Sequence, residues 1–282
     1  MGPSLRNIST GGKRKPDKVI MYGVEGWGKS SLFTYAPNPL YLMTRGEDGL
    51  LKLIEKGLVP ETPHFEDAAT TWNEFLGGIQ ALVLDRSGYD TLVVDVINGA
   101  QRLLVEHVTA MSFQGDPEKF DSFGRGWKPV QAEWDKMLTK LGAMNEKGMR
   151  IVLLAHADVI QFKNPEGEDY DRYVPRLHKT IWASTHEWAD MVLFGQFESF
   201  VKKESKQGKG KGVGGQNRIL RCQRTAAADA KNRHGLPEVI SCGHGAQSAW
   251  NAFLAALAAG CKPIEKPATE NANEPTVPTT AA

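Results

Sequence analysis

The sequence predicts an α/β fold in which a mainly parallel central sheet is flanked by helices, with antiparallel strands toward the C-terminus. Short apolar runs of strand length alternate with longer segments whose apolar residues recur every three or four positions. A glycine-rich loop joins the first apolar run to the first helical segment. This alternation is typical of strands joined by helical crossovers, which build parallel sheets.

The composition is that of an ordinary globular protein. The chain has 282 residues, of which 41% are apolar and 24% are charged, with a net charge of +1. The charge gives no global reason to expect nucleic-acid binding, so any such role depends on local patches. Three cysteines without metal-like spacing, no apolar run of about 20 residues and no signal-like start predict a cytoplasmic protein.

The first predicted strand, residues 18–22, leads into a match to the pattern G-x-x-x-x-G-K-[ST]. The predicted phosphate-binding residues are Gly23, Val24, Glu25, Gly26, Trp27, Gly28, Lys29, Ser30 and Ser31. Loop N–H groups at a helix N-terminus can cradle phosphate oxygens, and glycines permit the required backbone angles. Lys29 is expected to reach the β- and γ-phosphates and Ser30 to bind Mg²⁺. We therefore predict that ATP with Mg²⁺ is the ligand.

Two carboxylates follow the second predicted strand, residues 40–43. Glu47 and Asp48 lie where the ends of strands in an open α/β sheet face the ligand crevice. Either one is a candidate to activate the attacking water. The alternative is that both stabilise the first turn of the next helix.

A helical pattern over residues 68–86 precedes the third predicted strand, residues 91–95. That strand ends in Asp95, which is a second predicted ligand of Mg²⁺, although it also fits a helix cap. The distance along the chain from Lys29 predicts that another strand lies between the first and third strands. Helices are predicted over residues 98–111 and from Trp127 to about Gly148.

Between those helices the polar segment 114–126 is predicted to be a loop. Basic and aromatic residues alternate there and in the following residues, as in surfaces that bind single-stranded DNA, or else the aromatics pack beneath the loop. A fourth strand is predicted over residues 150–155, and it delivers His156 as a sensor of the γ-phosphate or as a plain cap. Residues 162–176 form a second candidate loop for DNA.

Further strands are predicted at residues 159–162, 190–203 and 218–225, and a final helix at 248–259. Residues 206–215, rich in Gly and Lys, are predicted to be a mobile hairpin tip. Lys231 and Arg233 are spaced to project from the same side of an extended backbone, which suits phosphate contact on a neighbouring subunit. The predicted organisation is a flexible basic segment (1–17), an ATPase domain (18–260) and a disordered tail (261–282).

Together these residues resemble the RecA-like ATPase core and, within it, the short phage-encoded recombination ATPases of the Sak type. RecA-like proteins place the catalytic glutamate after the second strand, where this chain has Glu47, whereas AAA+ proteins place it beside the Mg²⁺-binding Asp. Here Asp95 is followed by Val-Ile-Asn. The run Lys231-Asn-Arg-His-Gly235 is similar to the K-N-R-F-G signature of RadA-type proteins, with His234 in place of the aromatic residue.

The resemblance implies a homo-oligomeric ring or filament that binds single-stranded DNA. It implies an ATP site shared between subunits, with Lys29, Glu47 and His156 acting from one subunit and Lys231 and Arg233 from its neighbour. It also implies the cytoplasm of a bacterial host and a single-stranded DNA-binding protein as partner. The residues alone leave two other functions open, namely an ATP-gated regulatory or loading factor and a small-molecule or nucleotide kinase.

Overall fold

A computed structural model describes residues 15–202 and 211–260. The predicted C-terminal tail, most of the basic N-terminal segment and residues 206–210 of the predicted hairpin tip lie outside these residues. At the N-terminal boundary of the described chain, the Ile151 N–H donates to the Asp17 carbonyl at 3.3 Å. The Asp17 carboxylate lies 3.6 Å from Arg150. Asp17 is thus held against the start of the fourth strand.

Within the described ranges the chain forms nine strands and eight α-helices. The strands are β1 (Lys18–Gly23), β2 (Pro39–Met43), β3 (Thr91–Asp95), β4 (Arg150–Phe162), β5 (Tyr170–Pro175), β6 (Met191–Lys202), β7 (Lys211–Arg221), β8 (Lys231–Asn232) and β9 (Val239–Gly243). The helices are α1 (Lys29–Leu32), α2 (Gly49–Glu55), α3 (Trp72–Leu84), α4 (Ile97–Phe113), α5 (Pro117–Asp121), α6 (Trp127–Glu146), α7 (Lys179–Trp188) and α8 (Ala246–Gly260).

The sheet has the strand order β2-β3-β4-β1-β6-β7-β9. The neighbours from β2 to β6 are parallel, whereas β7 and β9 add antiparallel strands at one side. Strand β4 lies between β1 and β3, so the prediction of an inserted strand is confirmed. The predicted fold class, a mainly parallel sheet with antiparallel strands toward the C-terminus, is confirmed as well.

Each face of the sheet is covered by its own apolar layer. Ile20 and Tyr22 of β1 face one layer, which α3, α4, α6 and α7 complete. Val19 and Met21 face the other layer, which includes residues of α1, α2 and α8. Alternate residues of a strand point to opposite faces, so a sheet covered on both sides needs continuous apolar runs. This requirement explains why the central strands could be predicted from the sequence.

Several predicted boundaries are wrong. Residues 150–155 and 159–162 belong to one strand, β4, because its outer half pairs with β5 to form a hairpin beyond the sheet. Strand β5 and helix α7 were not predicted, nor was β9. Strand β7 begins at Lys211 rather than Arg218, since pairing with β6 needs only backbone groups. Segment 114–126 contains helix α5, which the Asp116 side chain caps.

None of the helices in the described ranges combines the length and the hydropathy needed to cross a lipid bilayer.

Candidate active site

The carboxyl ends of β1, β3 and β4 bring the predicted site residues together. In the parallel register, Gly23 at the end of β1 lies opposite His156 of β4. Asp95 at the end of β3 lies opposite Leu154 of β4 and Met43 of β2. Because parallel strands end at the same edge of a sheet, the loop after β1 faces Asp95 and His156 across one crevice.

The glycines of the loop have identifiable tasks. Gly26 and Gly28 have φ angles of 73° and 96°, a left-handed conformation that residues with a Cβ rarely adopt. At Gly23 the constraint is space, since a Cβ there would lie 2.5 Å from the Gly195 carbonyl oxygen of β6. The loop therefore folds tightly over the sheet edge, with its N–H groups at the start of α1.

Lys29 is 8% exposed and turns back over the loop. Its Nζ donates to the carbonyl oxygens of Gly23 at 3.0 Å and Val24 at 3.2 Å. Burial lowers the pKa of Lys29, and the nearby negative charges, Asp95 foremost, oppose this effect. A partly desolvated ammonium group beside a crevice is well placed to bind an anion that replaces its carbonyl partners.

Asp95 is 4% exposed at the base of the same crevice. Burial raises its pKa to about 6, and a hydrogen bond from the Ser30 hydroxyl opposes that shift. The charge of Glu47 raises the pKa further, whereas Lys29 lowers it. Two carboxylates thus face one crevice, and the raised pKa of Asp95 shows that its charge is unfavourable there; a divalent cation would stabilise that charge.

The structure separates the two candidate carboxylates that follow β2. Glu47 Oε1 lies 3.4 Å from Nε2 of His156, inside the crevice. Asp48 instead points outward and lies 2.6 Å from Nζ of Lys52, with both side chains exposed. Glu47, and not Asp48, therefore lies where it can act on a ligand in the crevice.

His156 connects Glu47 to the body of the sheet. Its backbone N–H donates to Oδ1 of Asn98 at 3.1 Å, which ties the end of β4 to helix α4. In the described part of the chain, its buried Nδ1 has no hydrogen-bond partner. The ring is therefore held through its backbone and one carboxylate contact, and is positioned to respond to charge in the crevice.

A cavity of about 390 Å³ unites these groups. It is lined by Gly26, Gly28, Lys29, Ser30, Ser31, Glu47, Gly49, Leu53, Asp95, Val96, His156 and Arg218. The lining is polar at its base, where a lysine and two carboxylates meet. Larger concavities occur elsewhere on the described surface, but the predicted catalytic groups of β1, β3 and β4 converge on this one.

The side chains of two loop residues that were predicted to bind the cofactor, Trp27 and Glu25, do not line the crevice. The Trp27 side chain is 1% exposed, packs over Gly195 and donates from Nε1 to the Gln196 carbonyl at 3.0 Å. It therefore anchors the loop to β6, and only its main chain can meet a ligand. The Glu25 side chain is exposed at the crest of the loop.

Lys231 and Arg233 lie near the opposite, amino-terminal edge of the parallel strands. Lys231 pairs with Val192 near the start of β6, and its Nζ donates to the carbonyls of His186, Glu187 and Ala189 at 2.7–3.2 Å. Nη1 of Arg233 lies 3.1 Å from Oδ1 of Asp190. The structure does not bring either cation to the crevice of its own chain, and their action on a neighbouring subunit stays a prediction.

The predicted DNA loop contains one side chain with an unusual exposure. Phe123 is fully exposed and has a φ of 55°, a left-handed value that is uncommon outside glycine. Phe120 is buried, and Trp127 stacks on His178 with ring centres 3.5 Å apart. Phe123 is therefore exposed and Phe120 is buried, and DNA binding by this segment stays a prediction.

Sequence reasoning missed two arginines near the crevice. Arg218 of β7 lines the cavity and donates from Nε to the Trp27 carbonyl at 2.7 Å. Arg176 follows β5, and its backbone N–H donates to the His156 carbonyl at 2.8 Å; its charge contributes to the lowered pKa of Lys29. No local motif marks either residue, because they reach the crevice only through the antiparallel pairing of β5 with β4 and β7 with β6.

The residues fit magnesium bound together with a nucleoside triphosphate. Mg²⁺ usually keeps several waters and takes one or two protein oxygens plus phosphates. Ser30 and Asp95 supply such oxygens, and the described residues contain no larger cluster of His, Cys, Asp or Glu that would suit a metal held by protein alone. The open cradle over Gly26, where a Cβ would meet no atom within 4 Å, leaves room for phosphate.

Comparison with known proteins identifies one family. A family model described as an AAA domain (AAA_24) matches residues 15–234, from the start of the described chain to just beyond Arg233. No curated protein matches the chain in sequence.

Proposed function

The chain belongs to the AAA domain family, and from this premise we propose that it hydrolyses ATP with Mg²⁺ to act on single-stranded DNA in recombination. The family match gives a P-loop ATPase-type fold and a nucleotide-binding ATPase. The substrate of the ATPase, the recombination role of the phage Sak type and a site shared between subunits belong to the proposal.

One observation carries the ATPase reaction, namely that Lys29, Asp95, Glu47 and His156 come from four separate chain segments and line one cavity. When bound, Mg²⁺ neutralises phosphate charge. Lys29 and the loop N–H groups hold the β- and γ-phosphates, and Ser30 and Asp95 hold the metal. Glu47 would orient the attacking water and accept its proton while the water oxygen bonds to the γ-phosphorus. The bond from that phosphorus to the bridging oxygen breaks, ADP leaves with that oxygen, and His156 would fix the Glu47 carboxylate.

The DNA part of the proposal rests on the resemblance and on exposed features of residues 114–128 and of the β4–β5 hairpin. Phe123 offers an unshielded ring for base stacking, and Lys119, Arg125 and Lys128 lie close to it in sequence. The β4–β5 hairpin continues directly from His156, so a ligand on residues 162–176 would act on the strand that carries the sensor. Assembly into a ring or filament would supply Lys231 and Arg233 to a neighbour, and a single-stranded DNA-binding protein is the proposed partner.

The test is hydrolysis of ATP with and without single-stranded DNA, for the wild-type protein and Lys29→Ala. We expect hydrolysis that requires Mg²⁺ and rises severalfold or more with single-stranded but not double-stranded DNA. Lys29→Ala should lower the rate by a factor on the order of 1,000, since it removes a charge that stabilises the transferred phosphoryl group. Hydrolysis that ignores DNA, together with phosphorylation of a small acceptor, would favour a kinase instead.

A further inference from the structure

A second, smaller cavity adjoins the phosphate crevice. It measures about 270 Å³ and is lined by Trp27, Gly28, Ser31, Leu58, Arg218, Gly245, Ala246 and Ala249. It shares Gly28, Ser31 and Arg218 with the crevice, so the two spaces meet at the loop end that opens helix α1. Glu47, Asp95 and His156 line only the crevice. The small cavity therefore lies on the side of the loop away from the chemistry.

Arg218 stands at the boundary between these two spaces. Its Nε donates to the Trp27 carbonyl at 2.7 Å, and its guanidinium lies 5.7 Å from the Phe197 ring centre. Among the described residues, no carboxylate pairs with it, and its two terminal nitrogens have no hydrogen-bond partner. A guanidinium fixed at one nitrogen, with two donors left over beside a phosphate loop, is well suited to bind an anion.

The walls of the small cavity have a different character. Leu58, 64% exposed, contributes an apolar side chain from the turn after α2, and Ala246 and Ala249 contribute small apolar side chains from α8. No acidic or basic residue other than Arg218 lines it. Such a slot fits a flat, uncharged ring better than a phosphate, and its volume is near the lower end of ligand pockets, roughly 300 Å³.

We infer that the small cavity is the nucleoside subsite and that Arg218, supplied by the same chain, binds the phosphate nearest the nucleoside. The inference rests on the proposed ATP binding and adds the direction in which the nucleotide lies. Lys29 holds the terminal phosphates beside Glu47, whereas Arg218 holds the other end beside Leu58 and Ala246. Arg218 is thus a binding residue whose loss weakens ADP as much as ATP.

Titration calorimetry of the full chain with ADP and with inorganic pyrophosphate, both with Mg²⁺, tests this inference. Arg218→Ala should weaken ADP by roughly 10- to 100-fold, the usual range for a charge-assisted hydrogen bond. Ala246→Trp should fill the small cavity and weaken ADP about tenfold or more, yet leave pyrophosphate within about twofold. The matched control is Arg221→Ala, because Arg221 lies on the same strand but faces Glu238 at 3.9 Å; it should leave both ligands unchanged.

Each result that contradicts the inference contradicts a different part of it. Arg218→Ala that binds ADP as well as wild type overturns the role of Arg218. Ala246→Trp that binds ADP normally, or loses ADP and pyrophosphate in parallel while its melting temperature is preserved, overturns the nucleoside subsite. If Arg218→Ala does not fold, Arg218→Gln replaces it, since the neutral amide keeps a donor for the Trp27 carbonyl but removes the charge, and unchanged ADP affinity would again overturn the role. Wild-type protein that binds neither ligand overturns the proposed function itself.

Discussion

Charged side chains at the two edges of the parallel sheet have different environments. At the carboxyl edge, Asp95 is buried in the cavity that Glu47 also lines, and burial raises the pKa of Asp95. At the amino edge, Lys231 caps the last carbonyls of α7 with three hydrogen bonds, and Arg233 pairs with Asp190. The charge of Asp95 is thus unfavourable at the first edge, whereas both cations at the second edge have partners within the same chain.

The contrast distinguishes residues that bind a ligand from residues that stabilise the fold. A group that is buried without adequate partners costs stability, and proteins retain such groups where binding or catalysis uses them. A cation with a full set of carbonyl acceptors already has a structural task. Removing charge at the carboxyl edge should therefore harm activity and spare or improve stability, whereas removing charge at the amino edge should cost stability.

Replacing Glu47 by Gln should give the largest effect. We expect the rate of ATP hydrolysis to fall by a factor of roughly 100 to 1,000, because the amide cannot accept the proton of the attacking water. ATP affinity should change by less than about threefold. Steady-state hydrolysis and equilibrium binding measure the two quantities.

The matched control is Asp48→Asn, the neighbouring carboxylate, which lies outside the cavity and contacts Lys52. It should retain hydrolysis within about twofold. Equal losses in the two variants would refute the assignment of Glu47 and return both carboxylates to a role in starting helix α2.

Asp95→Asn should stabilise the protein while abolishing hydrolysis. The pKa of Asp95 rises from an ordinary 3.8 to about 6, so the folded state binds this proton more tightly than the unfolded chain. Its contribution to stability is therefore lost as the pH rises from about 4 to 6, at a cost on the order of 2–3 kcal/mol above pH 6. Urea denaturation without Mg²⁺ should show Asp95→Asn more stable at pH 7.5 and equal to wild type near pH 4.

A gain that is the same at both pH values would show that packing, and not ionisation of Asp95, sets the difference. A loss of stability at pH 7.5 would contradict the unfavourable burial of the charge altogether.

Lys231→Ala should give the smallest of these effects, and the quantity affected should be the stability of the fold. We expect the free energy of unfolding to fall by about 1–2 kcal/mol, since the carbonyls at the end of α7 lose their cation. Arg233→Ala is the control, because its ion pair with Asp190 is exposed and worth less than about 1 kcal/mol. Urea denaturation measures both variants.

Lys231→Ala also tests whether Lys231 acts on a neighbouring subunit. If Lys231 acts on a neighbour, mixing Lys231→Ala with Lys29→Ala should restore part of the hydrolysis that each lacks. Normal stability with lost activity in Lys231→Ala would favour that role, whereas lost stability with normal activity per folded molecule would confine Lys231 to capping α7.

Much of the carboxyl edge could be predicted because its signals are local. The glycine pattern before Lys29, the apolar run that ends at Asp95 and the run that ends before His156 are each contained within a few residues. A strand buried on both faces must be apolar throughout, so the polar residue that ends it marks the sheet edge. The boundaries of β4 and β7 were predicted poorly, because hairpins are set by backbone pairing and leave little trace in side-chain pattern.

The parallel α/β core, the phosphate loop and the carboxylate at the end of β3 could be predicted from the amino-acid sequence alone. Burial and loop geometry restrict the residue types that short segments can contain. The three-dimensional structure was needed to show that Glu47 and not Asp48 faces the crevice. It was also needed to show that Arg218 borders the loop and that Lys231 caps α7. Those outcomes depend on which strands become neighbours and how they are registered. Contacts between residues far apart in the chain are selected by the packing of the whole sheet, and no local pattern encodes them.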